Sequence, residues 1–397
     1  MISLSEALAL YPLHVRPLRT QATPLQSALG HVLRAPTQAR CDLPRFSQSA
    51  LDGYVLTNDD AATPCTLIIT DSIAAGDTGE LRPLQNGECQ RILTGARVPP
   101  NAGAVIGQEH TQVSDGRMTF NEALKPGANI RWQGEELREN TIIGKTGQRL
   151  TPGHLASLSA AGIDQVSVTR TPRIRVLVSG DEVKTAGTPL LDGQIWDANG
   201  PLTLAWLHSQ GYEADLRYIG DTREAVSEAI SAALDEADLT ITTGGVSVGD
   251  KDYIIPVAES LGVERVFWKV AQKPGKPLYF GQRGDRTLIG LPGNPGAVLI
   301  GLALHVRKVL DVMEGAAIPG AVFFSGVLSH EVKGDAKRDC LHRMRLEIGD
   351  DGRTQLQPLP NQDSHMLSNL ANADVLVHLP AQAQAHAAGS IVKWTRL

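Results

Sequence analysis

Cysteine and aromatic residues are scarce in this sequence, and their scarcity excludes several kinds of site. Its 397 residues include four cysteines, Cys41, Cys65, Cys89 and Cys340, which lie far apart. Without a Cys-x-x-Cys pair, the chain supports neither a zinc ribbon nor a dithiol redox site. Aromatic residues make up only 4% of the chain, whereas 39 glycines and 23 prolines predict many tight turns.

The sequence also lacks a long apolar run, an excess of basic residues and a signal peptide. No segment approaches the ~20 consecutive apolar residues that a membrane-spanning helix needs. The net charge is −6, and acidic and basic residues are interspersed, unlike the basic stripe of a nucleic-acid-binding protein. The first residues lack the basic and apolar regions of a secretory signal, and Ser3 and Glu6 match a helix-capping box instead. We expect a cytoplasmic protein with no membrane or nucleic-acid partner.

The central third of the chain alternates strand-like and helix-like segments. A chain of 397 residues is expected to form two to four domains. Within residues 172–315 the alternation predicts a doubly wound α/β domain with a parallel sheet. Ligands bind beyond the carboxyl ends of the strands in such sheets, so the turns there are candidate site segments. These turns follow Ser179, Thr242, Val270 and Leu291.

The flanking regions have different patterns. Residues 43–140 carry short apolar runs between glycines and prolines, which predicts a mainly β domain. Residues 1–42 and 141–171 look helical, with one helix expected to start at Thr23-Pro24, and we expect these pieces to form one elongated linker domain. Residues 316–397 predict a C-terminal, β-barrel-like domain. The expected fold class is therefore multidomain α/β plus β.

The most informative segment is the run TTGGVSVGDKDY at residues 242–253, between a predicted strand and a predicted helix. A glycine-rich turn in that position exposes backbone N–H groups that favour a phosphate. Asp250 and Asp252 in the same turn would repel a bare anion, which a bridging divalent cation would offset. The segment therefore predicts a metal-assisted site for a phosphate or phosphoanhydride, with Gly244, Gly245 and Ser247 as phosphate contacts.

Three further turns are predicted at the same edge of the sheet. The run KPGKP at residues 273–277 holds two lysines between stiffening prolines, and with Lys269 it favours an anion site. The run LPGNPG at residues 291–296 predicts a helix start with Asn294 as N-cap, and its backbone could also contact a ligand. Asp181 and Glu182 supply paired carboxylates after the first strand, as metal ligands or as helix-end residues.

Two other motifs give weaker alternatives. Residues 245–249 match Gly-x-Ser-x-Gly, the nucleophile elbow of α/β-hydrolases, with Asp311 and His365 as formal partners for Ser247. The helix of an elbow begins at the serine, however, and here four residues intervene before the helical pattern. The Gly-Lys-Thr at residues 144–146 lacks the earlier glycine of a phosphate-binding loop, and no dinucleotide-binding glycine motif follows a strand.

Ordered matches along nearly the whole chain resemble the molybdopterin molybdenumtransferases, the family of MoeA-type enzymes and gephyrin E domains. These matches are LPRF (43–46), SALDGY (49–54), RILTGA (91–96), NIR (129–131), GE (134–135), SGDE (179–182), DGQIWDAN (192–199), the glycine-rich run, the double-lysine loop and LPGNP (291–295). The glycine-rich run alone is less specific, because adenylyltransferases of the pathway and competence-damage-type proteins share it.

The resemblance implies four domains, a homodimer and an active site shared between subunits. It implies that adenylylated molybdopterin and molybdate are substrates and that Mg²⁺ promotes release of AMP. Contacts with a molybdopterin adenylyltransferase and with molybdoenzymes would follow. The implied metal ligands are Asp252, Glu182 and Asp221, and the partner subunit would supply Asp52, Thr94 and Glu136. The implied substrate contacts are Gly244, Gly245, Ser247, Lys269, Lys273, Lys276, Pro292, Pro295, Arg343 and Ser364.

Several positions depart from the family pattern. The family usually has aspartate at Glu136, methionine at Leu51 and Asp-Asn at Ser47-Gln48, and the surroundings of Arg343 are altered. A paralogue with altered activity or metal preference stays open, as does tungstate in place of molybdate. Two other functions also stay open: adenylylation of molybdopterin, and a non-catalytic scaffold that binds cofactor intermediates.

Overall fold

The computed structural model describes residues 1–247, 249, 252–349 and 351–397. Asp250 and Lys251 of the glycine-rich run therefore lie outside the described residues, as does Val248. None of the described helices is long and apolar enough to cross a membrane.

Residues 1–171 contain short elements, most of them strands. The helices are α1 (Leu4–His14), α2 (Asn58–Ala61) and α3 (Pro152–Ala160). The strands are β1 (Thr20–Pro24), β2 (Thr37–Gln38), β3 (Gln48–Ser49), β4 (Gly53–Leu56), β5 (Thr66–Ile73), β6 (Glu88–Ile92), β7 (Ala104–Gly107), β8 (Thr111–Ser114), β9 (Arg117–Phe120), β10 (Ile130–Arg131), β11 (Ile142–Gly144) and β12 (Gln165–Thr169). Six of them form a sheet in the order β7-β4-β6-β5-β9-β8, as the pattern of residues 43–140 predicts.

The pieces before and after this sheet contact each other. Strand β1 pairs antiparallel with β12, and Leu33 shares a small apolar core with Leu158 and Val168. The helix expected at Thr23-Pro24 is wrong: Pro24 ends a strand and only a 3₁₀ turn, Leu25–Ser27, follows. Pairing with β12 decides the conformation there, because an edge strand tolerates a proline that lacks the N–H group. The linker is accordingly less helical than its sequence suggests.

Residues 172–315 form a layered α/β unit. Its helices are α4 (Asn199–Ser209), α5 (Arg223–Glu236), α6 (Ile254–Ser260), α7 (Pro295–Ile300) and α8 (Arg307–Glu314), and a π-helical segment, Gly301–Val306, joins the last two. The strands are β13 (Ile174–Ser179), β14 (Val183–Lys184), β15 (Ile195–Trp196), β16 (Ala214–Ile219), β17 (Leu239–Thr243), β18 (Glu264–Trp268), β19 (Gln272–Lys273), β20 (Tyr279–Arg283) and β21 (Arg286–Leu291). Thr222, with Glu224 two residues later, has the sequence pattern of a helix start, and it caps α5 by accepting from the N–H of Ala225.

The central sheet is mixed, with the order β16-β13-β17-β21-β20-β18. Strands β16, β13, β17 and β21 are parallel, whereas β20 runs antiparallel to both of its neighbours. The sequence did not indicate β20, because it follows the proline-rich lysine loop directly. Since β20 reverses direction, β18 again runs parallel to β21, and the turn after β18 lies at the carboxyl edge as predicted.

The C-terminal region forms a closed barrel. Its elements are β22 (Phe324–Leu328), β23 (Asp339–Ile348), β24 (Thr354–Pro358), α9 (Ser368–Asn372), β25 (Val375–Leu379) and β26 (Ile391–Arg396). The order β23-β24-β22-β26-β25 closes because β25 also pairs with β23. Strand β19 of the central region adds to this barrel beside β23. The lysine loop is thereby fixed to the C-terminal region through Lys273.

One large apolar core joins three regions of the chain. Tyr11 of α1 is fully buried among residues of the central sheet, with Phe267 and Phe280 in edge-on contact. Leu341 and Leu376 of the barrel belong to the same cluster. Burying one such side chain contributes roughly 1.5–3 kcal/mol, so these contacts hold the regions together as well as each sheet.

Candidate functional site

Two consecutive glycines shape the turn after β17. Gly244 has φ +89° and Gly245 has φ +66°, in the left-handed region that favours glycine. A Cβ on Gly244 would lie 2.9 Å from Ser179 Oγ, and one on Gly245 would lie 2.6 Å from Ile254 Cγ1. The N–H of Gly244 donates to the carbonyl of Leu291 and is therefore not free for a phosphate. Any phosphate cradle in this loop must use later groups, such as the exposed Ser247.

Paired hydrogen bonds join the turns after β13 and β16. The N–H of Asp181 donates to Asp221 Oδ2 at 3.1 Å, and the N–H of Asp221 donates to Asp181 Oδ1 at 3.1 Å. These bonds hold the Asp221 backbone beside the turn that carries Glu182. In the glycine-rich loop, Asp252 Oδ2 accepts from the N–H of Gly249 at 2.6 Å. Three turns thus present a carboxylate at the same edge of the sheet.

These turns enclose a cavity of about 700 Å³. Eight of the predicted site residues line it: Glu182, Asp221, Gly244, Gly245, Ser247, Asp252, Pro292 and Pro295. The C-terminal region contributes His365 and Leu367 from the loop before α9. The cavity therefore lies where the central sheet meets the barrel.

The cavity is acidic. Among the described residues that line it, the charged side chains are the carboxylates of Glu182, Asp197, Asp221 and Asp252, and His365 is the only ionisable base. Carboxylate oxygens are the ligands that Mg²⁺ prefers, and a phosphate ligand here would need a cation beside it. The described residues contain no preassembled cluster of three or more metal-binding side chains. The donor set therefore fits a divalent cation that binds together with a phosphate.

The three lysines predicted as anion contacts do not line this cavity. Lys269 stacks on the ring of Trp268 at 3.9 Å, and Lys273 and Lys276 are exposed on the loop that runs to the barrel. Only Pro277 of that loop reaches the cavity wall. The positive groups therefore lie beside the acidic cavity on the barrel side. The sequence predicted one site for lysines and carboxylates together and could not show that they lie apart.

Arg343 lies beneath a loop of the barrel and does not line the cavity. Its side chain is fully buried, and its guanidinium donates to the carbonyls of Gln362, Asp363 and Met366. Burial lowers the pKa of Arg343. The structure thus shows Arg343 holding the 362–366 segment, the segment that carries Ser364 and His365.

Ser364 ties that segment to the start of α7. Its Oγ accepts from Asn294 Nδ2 at 2.7 Å, and its carbonyl accepts from the N–H of Gly296 at 2.8 Å. Asn294 occupies the N-cap position as predicted, but its side chain binds Ser364 and makes no capping bond. A Cβ on Gly296 would lie 2.5 Å from Arg343 Nη1, so glycine is needed for this close contact.

Asp52 and Thr94 contact each other in the β region, away from the cavity. Asp52 Oδ1 accepts from the Thr94 N–H at 2.7 Å and from its hydroxyl at 2.8 Å. The backbone hydrogen bond, followed by the hydroxyl, lowers the pKa of Asp52 below its ordinary value. Glu136 is exposed. No described residue of 43–140 lines the acidic cavity within one chain.

The cavity is also lined by side chains to which the sequence gave no role in this site. They include Trp196, Asp197 and Asn199, and also His365, which the sequence offered only as a hydrolase partner. Asp197 is buried and accepts from the N–H groups of Asn199 and Gly200 and from the Tyr218 hydroxyl. Asn199 donates to the carbonyl of Gly293 at 2.7 Å, and its buried Oδ1 has no partner among the described residues. The DGQIWDAN run, which matched the family without a role, could have found Trp196, Asp197 and Asn199, but His365 lies outside it.

The hydrolase alternative is excluded because Asp311 cannot act as the acid of a catalytic triad. Asp311 is buried and accepts from Arg149, Arg307 and the N–H of Gly320, so it cannot orient His365. Ser247 is exposed, and the next helix, α6, begins only at Ile254. The Gly-x-Ser-x-Gly match is therefore not a nucleophile elbow.

Three family models match the chain in order. They are described as MoeA N-terminal region (domain I and II), probable molybdopterin binding domain, and MoeA C-terminal region (domain IV), at residues 2–162, 175–312 and 325–397. A curated molybdopterin molybdenumtransferase of Haemophilus influenzae is 32% identical over 95% of this chain and 93% of its own length. The chain belongs to the molybdopterin molybdenumtransferase family.

Another molybdopterin molybdenumtransferase, from Nostoc, is 33% identical over 91% of this chain and 85% of its own length. Among solved structures, a molybdopterin biosynthesis MoeA protein from Pyrococcus horikoshii aligns with a TM-score of 0.82 and 27% identity, covering 100% of this chain and 99% of that one. These findings confirm the predicted family, its multidomain fold, its place in molybdenum cofactor biosynthesis and its class as a transferase.

In this member of the family, a buried relay of hydrogen bonds connects α1 with the lysine loop. Gln272 Nε2 donates to the Gly275 carbonyl, so its Oε1 faces His305 Nε2 at 2.9 Å and must accept. His305 Nε2 therefore carries the proton, and Nδ1 accepts from the Tyr11 hydroxyl at 2.8 Å. Every group in the relay is satisfied only while His305 is neutral. Burial lowers the pKa of His305 to about 3.

This relay predicts a specific pH dependence of stability. The unfolded chain binds a proton at His305 below its ordinary pKa of 6.5, whereas the folded chain resists it down to about 3. Lowering the pH should therefore lower the free energy of unfolding. Between about pH 7 and pH 5, His305 alone should account for a loss of about 2 kcal/mol. Urea titrations of the wild type and His305→Gln at both pH values measure the difference. Parallel pH curves for the two proteins would contradict it.

Proposed function

We propose that this chain inserts molybdate into adenylylated molybdopterin and releases AMP with the help of Mg²⁺. The observation that carries the proposal is the acidic cavity at the carboxyl edge of the central sheet. It joins the glycine-rich turn, three carboxylates and the loop of the barrel in one place. The same cavity lies within the region matched by the probable molybdopterin binding domain and beside the MoeA C-terminal region.

The carboxylates are proposed to hold the metal. Asp252, Glu182 and Asp221 come from three different turns and would supply oxygen ligands to Mg²⁺ once a phosphoanhydride is present. Bound Mg²⁺ would act as a Lewis acid and neutralise charge on the anhydride oxygens. Ser247 would donate its hydroxyl to the phosphate, and the Gly244-Gly245 turn would let the ligand approach the backbone. Water would attack the phosphoanhydride and form the new P–O bond, which leaves the phosphate on molybdopterin and releases AMP.

Molybdate is proposed to bind on the barrel side of the cavity. Lys269, Lys273 and Lys276 lie on the loop that reaches the barrel and would attract the oxyanion. Ser364, beside Pro292 and Pro295, would contact it where α7 meets the barrel. Arg343 would act through the loop that it holds, as a positioning residue. The dithiolene sulfurs of molybdopterin would then bind molybdenum, between the lysine loop and the carboxylates of the cavity.

The proposal needs a second subunit to complete the site. Asp52, Thr94 and Glu136 do not line the cavity of their own chain, so a homodimer would bring them to the cavity of the partner. The low pKa of Asp52 keeps it ionised, suited to binding a metal or a substrate hydroxyl. We further propose that the enzyme acts in the cytoplasm between a molybdopterin adenylyltransferase and the molybdoenzymes that receive the cofactor.

The decisive experiment is incubation with adenylylated molybdopterin, molybdate and Mg²⁺. We expect AMP and metallated cofactor to appear in equal amounts, and chelation of Mg²⁺ to stop both. A family member of known activity, run in parallel, validates the substrate. Consumption of ATP with unadenylylated molybdopterin would indicate the adenylyltransferase alternative. Tight binding of substrate without any AMP would indicate the scaffold alternative, and either result would overturn the proposal.

A further inference from the structure

Six arginines surround an open cavity of about 970 Å³. The charged residues in its lining are Arg16, Arg19, Arg170, Arg173, Arg283 and Arg286, with Asp238 and Asp285. Six positive and two negative charges leave an excess of four positive charges. The whole chain has a net charge of −6, so this concentration runs against its overall composition. We call this feature the arginine cavity.

The arginine cavity lies at the edge of the central sheet opposite the acidic cavity. Arg173 immediately precedes β13, Asp238 precedes β17, and Arg286 is the first residue of β21. These are the amino ends of the strands, whereas the acidic cavity lies beyond their carboxyl ends. At ~3.3 Å per residue, strands of this length separate the two cavities by roughly 20 Å. The arginines therefore cannot serve the acidic cavity directly.

Asp238 neutralises only part of the charge. It is buried and accepts from Arg170 at 2.7 and 2.8 Å, from Arg286 at 2.8 Å and from the backbone N–H of Arg173 at 2.9 Å. Despite the opposing effect of burial, these hydrogen bonds lower the pKa of Asp238 well below its ordinary range. Its oxygens are fully used, so Asp238 fixes the floor of the cavity and has no capacity for more arginines.

Arg16 and Arg19 have no such partner. Within the described residues, neither guanidinium makes a salt bridge or a hydrogen bond, and both residues are exposed. The segment that carries them is nevertheless held in place, because the carbonyl of Arg19 accepts from the N–H of Arg170 at 3.1 Å and Leu18 donates to the carbonyl of Met313 at 2.7 Å. A fixed backbone thus holds two free cations at the mouth of a cavity that is already positive.

We propose that the arginine cavity binds a compact oligophosphate, such as pyrophosphate, tripolyphosphate or the phosphate chain of a nucleotide. Guanidinium groups match phosphate oxygens in paired hydrogen bonds and stay charged at all physiological pH values. Arg283 pairs with Asp235 outside the lining, so about three positive charges are left unbalanced. A chain of two or three phosphates carries enough negative charge to offset them, whereas a single phosphate carries less. The concave shape favours a small ligand over an extended polymer.

Calorimetric titration without Mg²⁺ tests this proposal and keeps the two cavities apart. Without a divalent cation the carboxylate-lined cavity repels oligophosphates. Saturable binding of tripolyphosphate that survives Lys273→Gln with Lys276→Gln therefore reports the arginine cavity and not the lysine loop. A second titration with ATP identifies the kind of ligand. Equal affinities for ATP and tripolyphosphate would mean that the site recognises only the phosphate chain, and a higher affinity for ATP would mean that it recognises a nucleotide. No saturable binding of either probe at low salt would overturn the proposal.

Two double variants test the location. Arg16→Gln with Arg19→Gln removes the unpaired cations and should weaken tripolyphosphate binding about tenfold or more. Arg117→Gln with Arg353→Gln removes the same charge from exposed positions outside the cavity and should leave the affinity within about twofold. Equal losses in both variants would show only non-specific attraction and would overturn the assignment. The Mg²⁺-dependent release of AMP should persist in both, which separates this site from the proposed reaction.

Discussion

Replacing Asp252 by asparagine is expected to slow AMP release by about a hundredfold to ten-thousandfold. The asparagine oxygen can still accept from the N–H of Gly249, so the turn keeps its hydrogen bond and loses only the negative charge. Loss of a charged metal ligand removes several kcal/mol of transition-state stabilisation, and each 1.4 kcal/mol is a factor of ten. The apparent Mg²⁺ requirement should rise at the same time. Initial rates across a Mg²⁺ series measure both effects.

The matched control is Asp215→Asn. Asp215 lies on β16, bonds to Arg175 and Arg217, and does not line the acidic cavity. The Asp215→Asn variant should release AMP at a rate close to that of the wild type. A rate for Asp252→Asn within about fivefold of the wild type at saturating Mg²⁺ would exclude Asp252 as a metal ligand.

Mixed dimers extend the same experiment to the proposed shared site. Asp52→Asn and Asp252→Asn homodimers should both be nearly inactive. If one subunit supplies Asp52 and its partner supplies Asp252, a mixed dimer of the two variants keeps one intact site. Random mixing should then restore about a quarter of the wild-type activity. No recovery would contradict a site shared between subunits.

Replacing Arg149 by methionine is expected to lower the free energy of unfolding by about 3–5 kcal/mol, because it leaves buried carboxylates without their partner. Arg149 Nη2 lies 2.6 Å from Asp311 Oδ1 and 2.5 Å from Glu314 Oε2, and both carboxylates are buried. Burial alone would lower the pKa of Arg149, but Glu314, Tyr212 and Asp311 together outweigh burial and raise the pKa above its ordinary value. Asp311 keeps Arg307, whereas the Glu314 carboxylate keeps, among the described residues, only the hydroxyl of Tyr212.

Arg40→Met provides the control within the same linker region. Arg40 pairs with Asp164 at 2.7 Å, but the side chains are 59% and 70% exposed. An exposed pair contributes about 0–1 kcal/mol, so the urea midpoint should barely change. Adding Glu314→Gln to Arg149→Met should recover part of the loss, because the amide leaves no buried charge. Equal losses for Arg149→Met and Arg40→Met would contradict this account.

Local signals in the sequence predicted the elements and turns that depend on neighbouring residues. The capping box of Ser3 and Glu6, the cap at Thr222 and the glycine turn after β17 all follow from residues within a few positions of each other. The carboxyl-edge rule predicted that the turns of Glu182 and Asp252 lie together, and the family resemblance added Asp221; all three line one cavity. The parallel strands made this possible, because their carboxyl ends share one edge whatever the details of packing.

Contacts between distant residues decided the rest. Thr23-Pro24 has a helix-start pattern, but pairing with β12 makes it a strand. The lysine loop was expected at the cavity, but its pairing with β23 directs it toward the barrel. Arg343 was expected to touch a ligand, and whether an arginine faces a ligand or three carbonyls depends on a segment about 20 residues away. No local pattern encodes such a choice.

The sequence by itself determined the family, the alternation of strands and helices in the central third of the chain, and the glycines and carboxylates that make a phosphate and metal site chemically reasonable. Only the tertiary structure decided which charges meet. It separated an acidic cavity from the lysines beside it, left Asp52 outside the cavity of its own chain, and gathered six arginines from three segments at the opposite edge. The physical reason is that electrostatic energy depends on distance and burial in space, which residue order along the chain does not specify.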